Sequence, residues 1–333
     1  MNWLPPVRHW EGVLLFFLAT GLGLPGWEAN AQPLSSVSAA FVDAGVGART
    51  AGLGFAGVAS DRGLESLIRN PAAATSLARI EASFAYLDQY SLLGYSEVGA
   101  GMSLGQSWGM ALFLRDSGDE SLRETTFRLS AGKQIGRLSL GLSGALLLAQ
   151  FGRNDLAGQD LSVFDPGEIA AGFANQIRGD ATGVGVDVGL RYAVGRSAVG
   201  VAVRNAFAPV SWSSGPASGL WAGTYTESLP MEIVVGAQIP SGRSLLILMD
   251  YRPAHTAELD HLIRAGAEWT LAELFAIRVG TERSFNGRDD ERYSVGFGVL
   301  PPVSGRMRLS ANYAYASSFL GDSQQFSLAV SLR

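Results

Sequence analysis

The part of the chain beyond Leu77 alternates apolar and polar residues over runs of about ten positions. Leu138 and Leu142 share one face of such a run, whereas Asp187 and Arg191 lie opposite a row of valines. Strand residues point alternately to the two faces of a sheet, so each run has one apolar and one polar face. This pattern is typical of a membrane-spanning barrel with lipid outside and water or a plug inside.

The runs between turn signals predict about fourteen strands over residues 79–333. They begin near Arg79, Leu92, Trp108, Leu122, Arg137, Thr182, Ala198, Leu229, Arg243, Asp260, Leu274, Glu291, Arg306 and Asp322. Tight turns such as Ile135-Gly136-Arg137 alternate with long loops, Phe151 to Ala181 and Phe207 to Ser228. Membrane barrels have this arrangement, whereas a soluble β-sandwich, the alternative, has no reason to alternate so regularly. The predicted fold is therefore all-β, an antiparallel transmembrane β-barrel with both ends on one side.

The N-terminus has the features of a secretion signal. Arg8 and His9 precede an apolar run from Val13 to Leu24, and Ala29-Asn30-Ala31 places small residues before Gln32. A membrane anchor is the alternative, but a spanning helix needs about 20 apolar residues and this run is interrupted by Thr20 and glycines. We therefore interpret residues 1–31 as a cleaved signal peptide and expect the protein in the outer membrane of a diderm bacterium.

Residues 32–78, between the signal and the first strand, are rich in glycine and contain Asp61 and then Asn70-Pro71-Ala72. The glycines suggest a nucleotide-binding loop, but no βαβ unit is readable around them. A short chain folded tightly inside the lumen explains them better. We predict that residues 32–78 form a hatch and that its motif is Asp61, Asn70, Pro71 and Ala72.

The hatch motif and four further segments support a family resemblance. The segments run from Val199 to Trp212, Leu229 to Ile239, His261 to Gly280 and Leu309 to Leu332. With them the chain resembles the PorV/PorQ family of outer-membrane proteins, which is related to the FadL-like fatty-acid transporters. The resemblance implies a component of type IX secretion that binds or shuttles secreted proteins at the cell surface.

Two functions follow from this resemblance. In the secretion reading, the partners are secretion-machinery proteins and cargo, and the long loops are the recognition surface, with candidate residues Phe164, Phe173, Trp212 and Trp221. In the alternative, the protein is a FadL-like channel for hydrophobic small molecules, which leave sideways through a kink or gap in the wall. A continuous apolar path from the outer loops to the hatch favours transport, and a lumen sealed by ion pairs favours secretion.

Charged residues on the lumen face are predicted to form ion pairs that hold the hatch, because an isolated buried charge is costly. A binding site for a charged ligand is the alternative. The candidates are Arg128, Asp187, Arg191, Arg204, Glu232, Asp250, Arg252, Arg264, Glu268, Arg278, Glu282 and Arg308.

The composition argues against several other classes of function. The chain has no cysteine, which excludes thiol nucleophiles and cysteine-ligated metals, and a net charge of −5 disfavours binding of nucleic acid. His255 and His261 lie near Glu258 and Asp260, but their spacing matches no known metal or hydrolase pattern. We therefore expect no enzyme activity, cofactor or metal.

Overall fold

The alternating pattern folds into one continuous antiparallel sheet that closes on itself. The computed structural model describes residues 41, 45–119, 121–153, 177–216, 223–255, 259–285, 291–304 and 307–332. The strands are β1 Ile80–Gln89, β2 Leu93–Leu104, β3 Trp108–Gly118, β4 Leu122–Ile135, β5 Leu138–Phe151, β6 Ile177–Val194, β7 Ser197–Phe207, β8 Pro209–Pro216, β9 Gly223–Ser228, β10 Glu232–Ser241, β11 Leu245–Arg252, β12 His261–Leu271, β13 Phe275–Phe285, β14 Glu291–Val299, β15 Pro302–Ser304, β16 Met307–Ser318 and β17 Gly321–Leu332.

Fourteen of these strands form the closed wall, which confirms the predicted fold. Strand β1 pairs with both β2 and β17, and Ile80 lies opposite Leu332 where the first and last strands meet. Closure pairs each of the fourteen wall strands on both sides, which is a requirement for a sheet in lipid. The remaining strands are the short β15 and the hairpin of β8 and β9.

The hairpin corrects the prediction of a loop from Phe207 to Ser228. Strand β8 pairs with β6 beyond the point where β7 ends, and Ala181 lies opposite Trp212. Val210 and Trp212 are buried and alternate with exposed serines, so the segment has a strand period. Its glycines, serines and prolines concealed that period in the sequence. For the same reason β6 begins at Ile177, earlier than the predicted Thr182.

The outer face of the wall is apolar. Its exposed large residues include Leu112, Leu129, Leu142, Val184, Val279 and Val295. Trp108, Trp269 and Phe275 are exposed near one end of their strands, and Tyr293 and Phe207 near the other. Aromatic residues at both borders of an apolar band are the usual arrangement in an outer-membrane barrel.

The two ends of the barrel differ. At the turn end, where Ile80 and Leu332 lie, several connections are tight turns at Gly105, Gly136, Gly195 and Gly242. The opposite end, the loop end, carries the β8–β9 hairpin. Three of its connections are also short, those after β1, β3 and β16, so the predicted regular alternation of tight turns and long loops is only partly correct.

The hatch contributes helix α1 (Ala48–Gly52), helix α2 (Glu65–Arg69) and the 3-10 helix Pro71–Ser76. No helix in the described ranges is long and apolar enough to span a membrane, a finding that does not bear on crossing by strands. Helix α1 contacts β13, β14, β16 and β17, and the 3-10 helix contacts β2 to β6. The described hatch residues therefore lie inside the lumen.

Candidate functional site

The hatch meets the wall at backbone distance through glycines that face the lumen. A Cβ atom on Gly189 would lie 2.0 Å from Asn70 Oδ1, and one on Gly141 would lie 2.1 Å from the Ala72 nitrogen. A Cβ atom on Gly200 would lie 2.4 Å from a hatch carbonyl oxygen. Gly141 and Gly200 stand close to the starts of β5 and β7, which are at the turn end. The hatch therefore fills the turn-end half of the lumen.

The Asn70-Pro71-Ala72 motif anchors the hatch. Asn70 is fully buried, and its Oδ1 accepts a hydrogen bond from the Ala72 nitrogen at 3.0 Å, capping the 3-10 helix that begins at Pro71. Its Nδ2 donates to the Val58 carbonyl at 2.7 Å and to the Leu190 carbonyl at 3.1 Å. One side chain thus joins two parts of the hatch to strand β6.

Two acidic residues bind the middle of the hatch. Asp61 accepts from Arg191 Nη2 at 2.5 Å, and the same arginine donates through Nε to the Ala59 carbonyl at 2.9 Å. Asp250 of β11 accepts from the backbone nitrogens of Gly57 at 2.7 Å and Val58 at 3.1 Å. Backbone donors that would lack partners are therefore satisfied by the wall.

The carboxylate of Glu268 forms ion pairs with three arginines. Arg49 and Arg62 of the hatch approach its carboxylate at 2.9 Å each, and Arg278 of β13 approaches at 2.8 Å. Arg278 also donates to Asn312 Oδ1 at 3.0 Å. Breaking a buried pair of this kind is strongly destabilising because it leaves an uncompensated charge.

The other predicted lumen residues form ion pairs between strands of the wall. Arg204 and Arg252 bind the two oxygens of Glu232 at 3.2 and 2.7 Å, Arg264 binds Glu282 at 2.5 Å, and Arg128 binds Asp187. Arg308 is exposed near the turn end. The charged lumen residues thus form two sets of ion pairs. One set joins the hatch to the wall, and the other lies within the wall.

The loop-end half of the lumen contains an apolar cluster that the sequence reasoning missed. The outer apolar cluster consists of the buried residues Leu147, Ala149, Ala181, Val210 and Trp212, with Phe41, Leu122, Ala145, Phe151 and Leu229 packed against it. The rings of Phe41 and Phe151 lie 6.4 and 5.9 Å from that of Trp212. The available signal was the run Leu146-Leu147-Leu148, which breaks the alternation and must place a leucine on the lumen face.

The predicted recognition residues have different outcomes. Trp212 is only 7% exposed, and its Nε1 donates to Glu227 Oε1 at 2.8 Å within the hairpin. The prediction that it lies exposed in a loop is therefore wrong, because β8 turns this side chain into the lumen. Phe164, Phe173 and Trp221 lie outside the described residues.

The regular ladder of the wall is interrupted beside the outer apolar cluster, where one backbone hydrogen bond, from the Leu229 nitrogen to the Ala208 carbonyl at 2.9 Å, still joins the two sides. The ladder between β7 and β10 ends at Arg204 and Glu232, and pairing resumes between Pro209 and Ser228 of the hairpin. In this wall break, residues 205–208 face residues 229–231. Asn205 has a φ of 51° and donates through Nδ2 to the Pro230 carbonyl at 3.1 Å. Pro209 and Pro230 have no N–H to give to a ladder, which favours a break between the two sides once these strands pair.

His255 and His261 are hydrogen-bonded to neighbouring groups. His261 Nδ1 lies 2.8 Å from the Tyr251 hydroxyl, with the two rings stacked, and His255 Nδ1 lies 3.2 Å from the Pro253 carbonyl. Among the residues that the structure describes, no group of histidine, aspartate and glutamate side chains is placed to hold a metal ion.

Known structures share this architecture. No protein-family model and no curated protein matches the chain. The monoaromatic hydrocarbon channel CymD is similar at 16% identity and a TM-score of 0.59, over 87% of this chain and 97% of that one. The Pseudomonas putida toluene transporter TodX is similar at 11% identity and a TM-score of 0.55, over 84% and 96%. A Pseudomonas aeruginosa FadL homologue gives 12% identity and a TM-score of 0.55, over 84% and 97%. At these identities the likeness concerns the fold alone, so the chain shares the barrel fold of these three proteins.

Proposed function

We propose that the protein is an outer-membrane channel for hydrophobic small molecules, exported by the signal peptide in residues 1–31. The observation that carries this proposal is the outer apolar cluster, which lies above a lumen half filled by the hatch. An apolar site at the mouth of a barrel can take a greasy molecule out of water, because burial of apolar surface is favourable.

The route in this proposal leaves the barrel sideways. Straight passage to the turn end would have to displace backbone-to-backbone contacts and the arginines around Glu268. The wall break, in contrast, lies beside the cluster, and Leu229 belongs to both. In the proposed route a hydrophobic molecule passes there from the cluster into the lipid, past the Leu229–Ala208 bond, without crossing the hatch.

The comparisons support this reading over the secretion role. CymD and TodX are described as a channel and a transporter for monoaromatic hydrocarbons or toluene, and the same chemistry suits a cluster of aromatic and aliphatic side chains. The role in type IX secretion rests on the PorV/PorQ resemblance alone. Residues 154–176 and 217–222, which contain three of its candidate residues, lie outside the described ranges.

Uptake of labelled toluene by cells that express the chain tests the proposal. Val210→Asp places a carboxylate in the outer apolar cluster, and Ser211→Asp places one on the exposed side of the same strand. Burial of an unpaired charge costs several kcal/mol, so we expect Val210→Asp to reduce the uptake rate about tenfold or more while Ser211→Asp keeps it. Uptake no faster than in cells without the protein, or equal losses in both variants, would refute a channel through this cluster.

A further inference from the structure

We infer that the channel selects uncharged hydrophobic molecules that carry a hydrogen-bond donor, such as an aromatic alcohol, and rejects carboxylate anions. The inference rests on the proposed function and adds the class of ligand. It follows from two carboxyl groups that flank the outer apolar cluster and from the ion pairs that the nearby arginines form with other acidic residues.

The first carboxyl group is that of Glu227 in strand β9. Glu227 lies directly opposite Val210 in the hairpin, so the two side chains share the face that carries the cluster. Its Oε1 accepts the Trp212 indole N–H at 2.8 Å. Its Oε2 is buried and has no hydrogen-bond partner among the described residues. A buried acceptor without a partner costs free energy, and a donor on a bound ligand would remove that cost.

The second carboxyl group is that of Glu124 in strand β4. Glu124 lies opposite Ala149 of the cluster and is itself buried. Its Oε1 accepts the Phe41 backbone N–H at 2.8 Å, and the ring of Phe41 packs against Trp212. The cluster therefore lies between two acidic side chains, one on each side of Phe41 and Trp212.

The arginines of this region are engaged by other acids. Arg115 binds Glu97 at 2.7 Å, Arg128 binds Asp187, and the exposed Arg153 binds Asp180 at 2.8 Å. A carboxylate ligand in the cluster would lose its hydration and lie near the carboxyl groups of Glu124 and Glu227. It could form an ion pair with one of these arginines only if that arginine left its present acidic partner. Desolvation of an uncompensated anion is expensive in an apolar site. A neutral ligand avoids this cost, and a donor group adds a bond to Glu227 Oε2.

Three probes with the same ring separate these contributions: toluene, benzyl alcohol and benzoate. Calorimetric titration of the full detergent-solubilised chain at neutral pH, with empty micelles as the blank, gives the three affinities. Because a hydrogen bond to a charged acceptor is stronger than one between neutral groups, we expect benzyl alcohol to bind about tenfold or more tighter than toluene. We expect benzoate to bind more weakly than toluene.

Two variants test whether the two carboxyl groups cause this order of the three affinities. Glu227→Leu removes the acceptor and should bring the benzyl alcohol affinity to that of toluene, whereas Thr226→Leu, on the exposed side of β9, should leave the ratio unchanged. Glu124→Gln combined with Glu227→Gln removes both acidic groups and should narrow the gap between benzoate and toluene.

The outcomes distinguish this inference from the proposed function. If toluene binds, but benzyl alcohol binds no tighter or Glu227→Leu leaves the ratio unchanged, the donor selectivity is wrong and the channel stands. If benzoate binds as tightly as toluene in the wild-type protein, the exclusion of anions is wrong. If toluene does not bind at all and Val210→Asp changes no uptake, the proposed function itself fails, and this inference with it.

Discussion

Asn70 shows how one buried side chain can hold the hatch in place. It bonds to the Ala72 nitrogen and to the carbonyls of Val58 and Leu190. Asn70→Ala would leave these buried groups without partners, at a cost of about 1 to 3 kcal/mol per unsatisfied group. We expect the hatch to loosen while the barrel stays assembled, because the wall strands keep their own ladders.

Hydrogen–deuterium exchange of the purified protein measures this effect. Peptides that cover residues 47–76 should exchange faster in Asn70→Ala, and peptides from the wall should not change. Ser76→Ala is the control, since Ser76 is exposed at the end of the same 3-10 helix. Equal protection of the hatch in both variants would show that Asn70 does not hold it.

Single residues were predictable where a local pattern reports their role. Asn70-Pro71 is such a pattern, because proline fixes its own φ and asparagine caps the turn. Trp212 was predicted only as a residue of an external loop and its contact with Leu147 was missed, since lumen-facing apolar residues from three strands meet only after the hairpin folds against β6. Glu227 was missed for the same reason.

At the scale of elements, the close packing of the hatch against β6 allows a prediction that compares two glycines of the same strand. Gly189 and Gly185 lie on the same lumen face of β6, and both are buried. A Cβ atom on Gly189 would lie 2.0 Å from Asn70 Oδ1 and 2.8 Å from Pro71 Cδ, whereas one on Gly185 would lie 3.5 Å from its nearest neighbour, Ala145. Only Gly189→Ala should push the hatch away from the wall.

Ion conductance in planar bilayers measures this displacement of the hatch. Overpacking a filled site costs about 1 to 3 kcal/mol, so Gly189→Ala should open a path past the hatch and raise the conductance of the channel. Gly185→Ala should conduct as the wild-type protein does. If the two variants conduct equally, the close contact between β6 and the hatch does not seal the lumen.

Most elements were predictable because each wall strand carries its own period. The predicted starts near Trp108, Leu122 and Glu291 coincide with those of β3, β4 and β14. The wall break was not predictable, since it depends on which strands pair and on the positive φ of Asn205. The β8–β9 hairpin was hidden by the turn-forming residues that make up most of it.

At the scale of the whole molecule, the wall is taller on one side. Strand β6 has 18 residues and β1 has 10, a difference of roughly 26 Å along the strand direction. Both strands reach the turn end, so the extra length rises at the loop end, where the hairpin pairs with it. The outer apolar cluster lies within this taller side, and the proposed function requires the loop end to face the cell exterior.

Surface labelling of single cysteines decides which end faces outward, and the cysteine-free chain gives no background. Thr224→Cys places a thiol on the exposed surface of the hairpin, and Arg137→Cys places one in the tight turn between β4 and β5. Short turns of outer-membrane barrels face the periplasm and the longer connections face outward, so a membrane-impermeant maleimide should label position 224 on intact cells. Position 137 should react only after the outer membrane is permeabilised. The reverse pattern would place the outer apolar cluster on the periplasmic side, and entry of hydrophobic molecules from outside through that cluster would then be impossible.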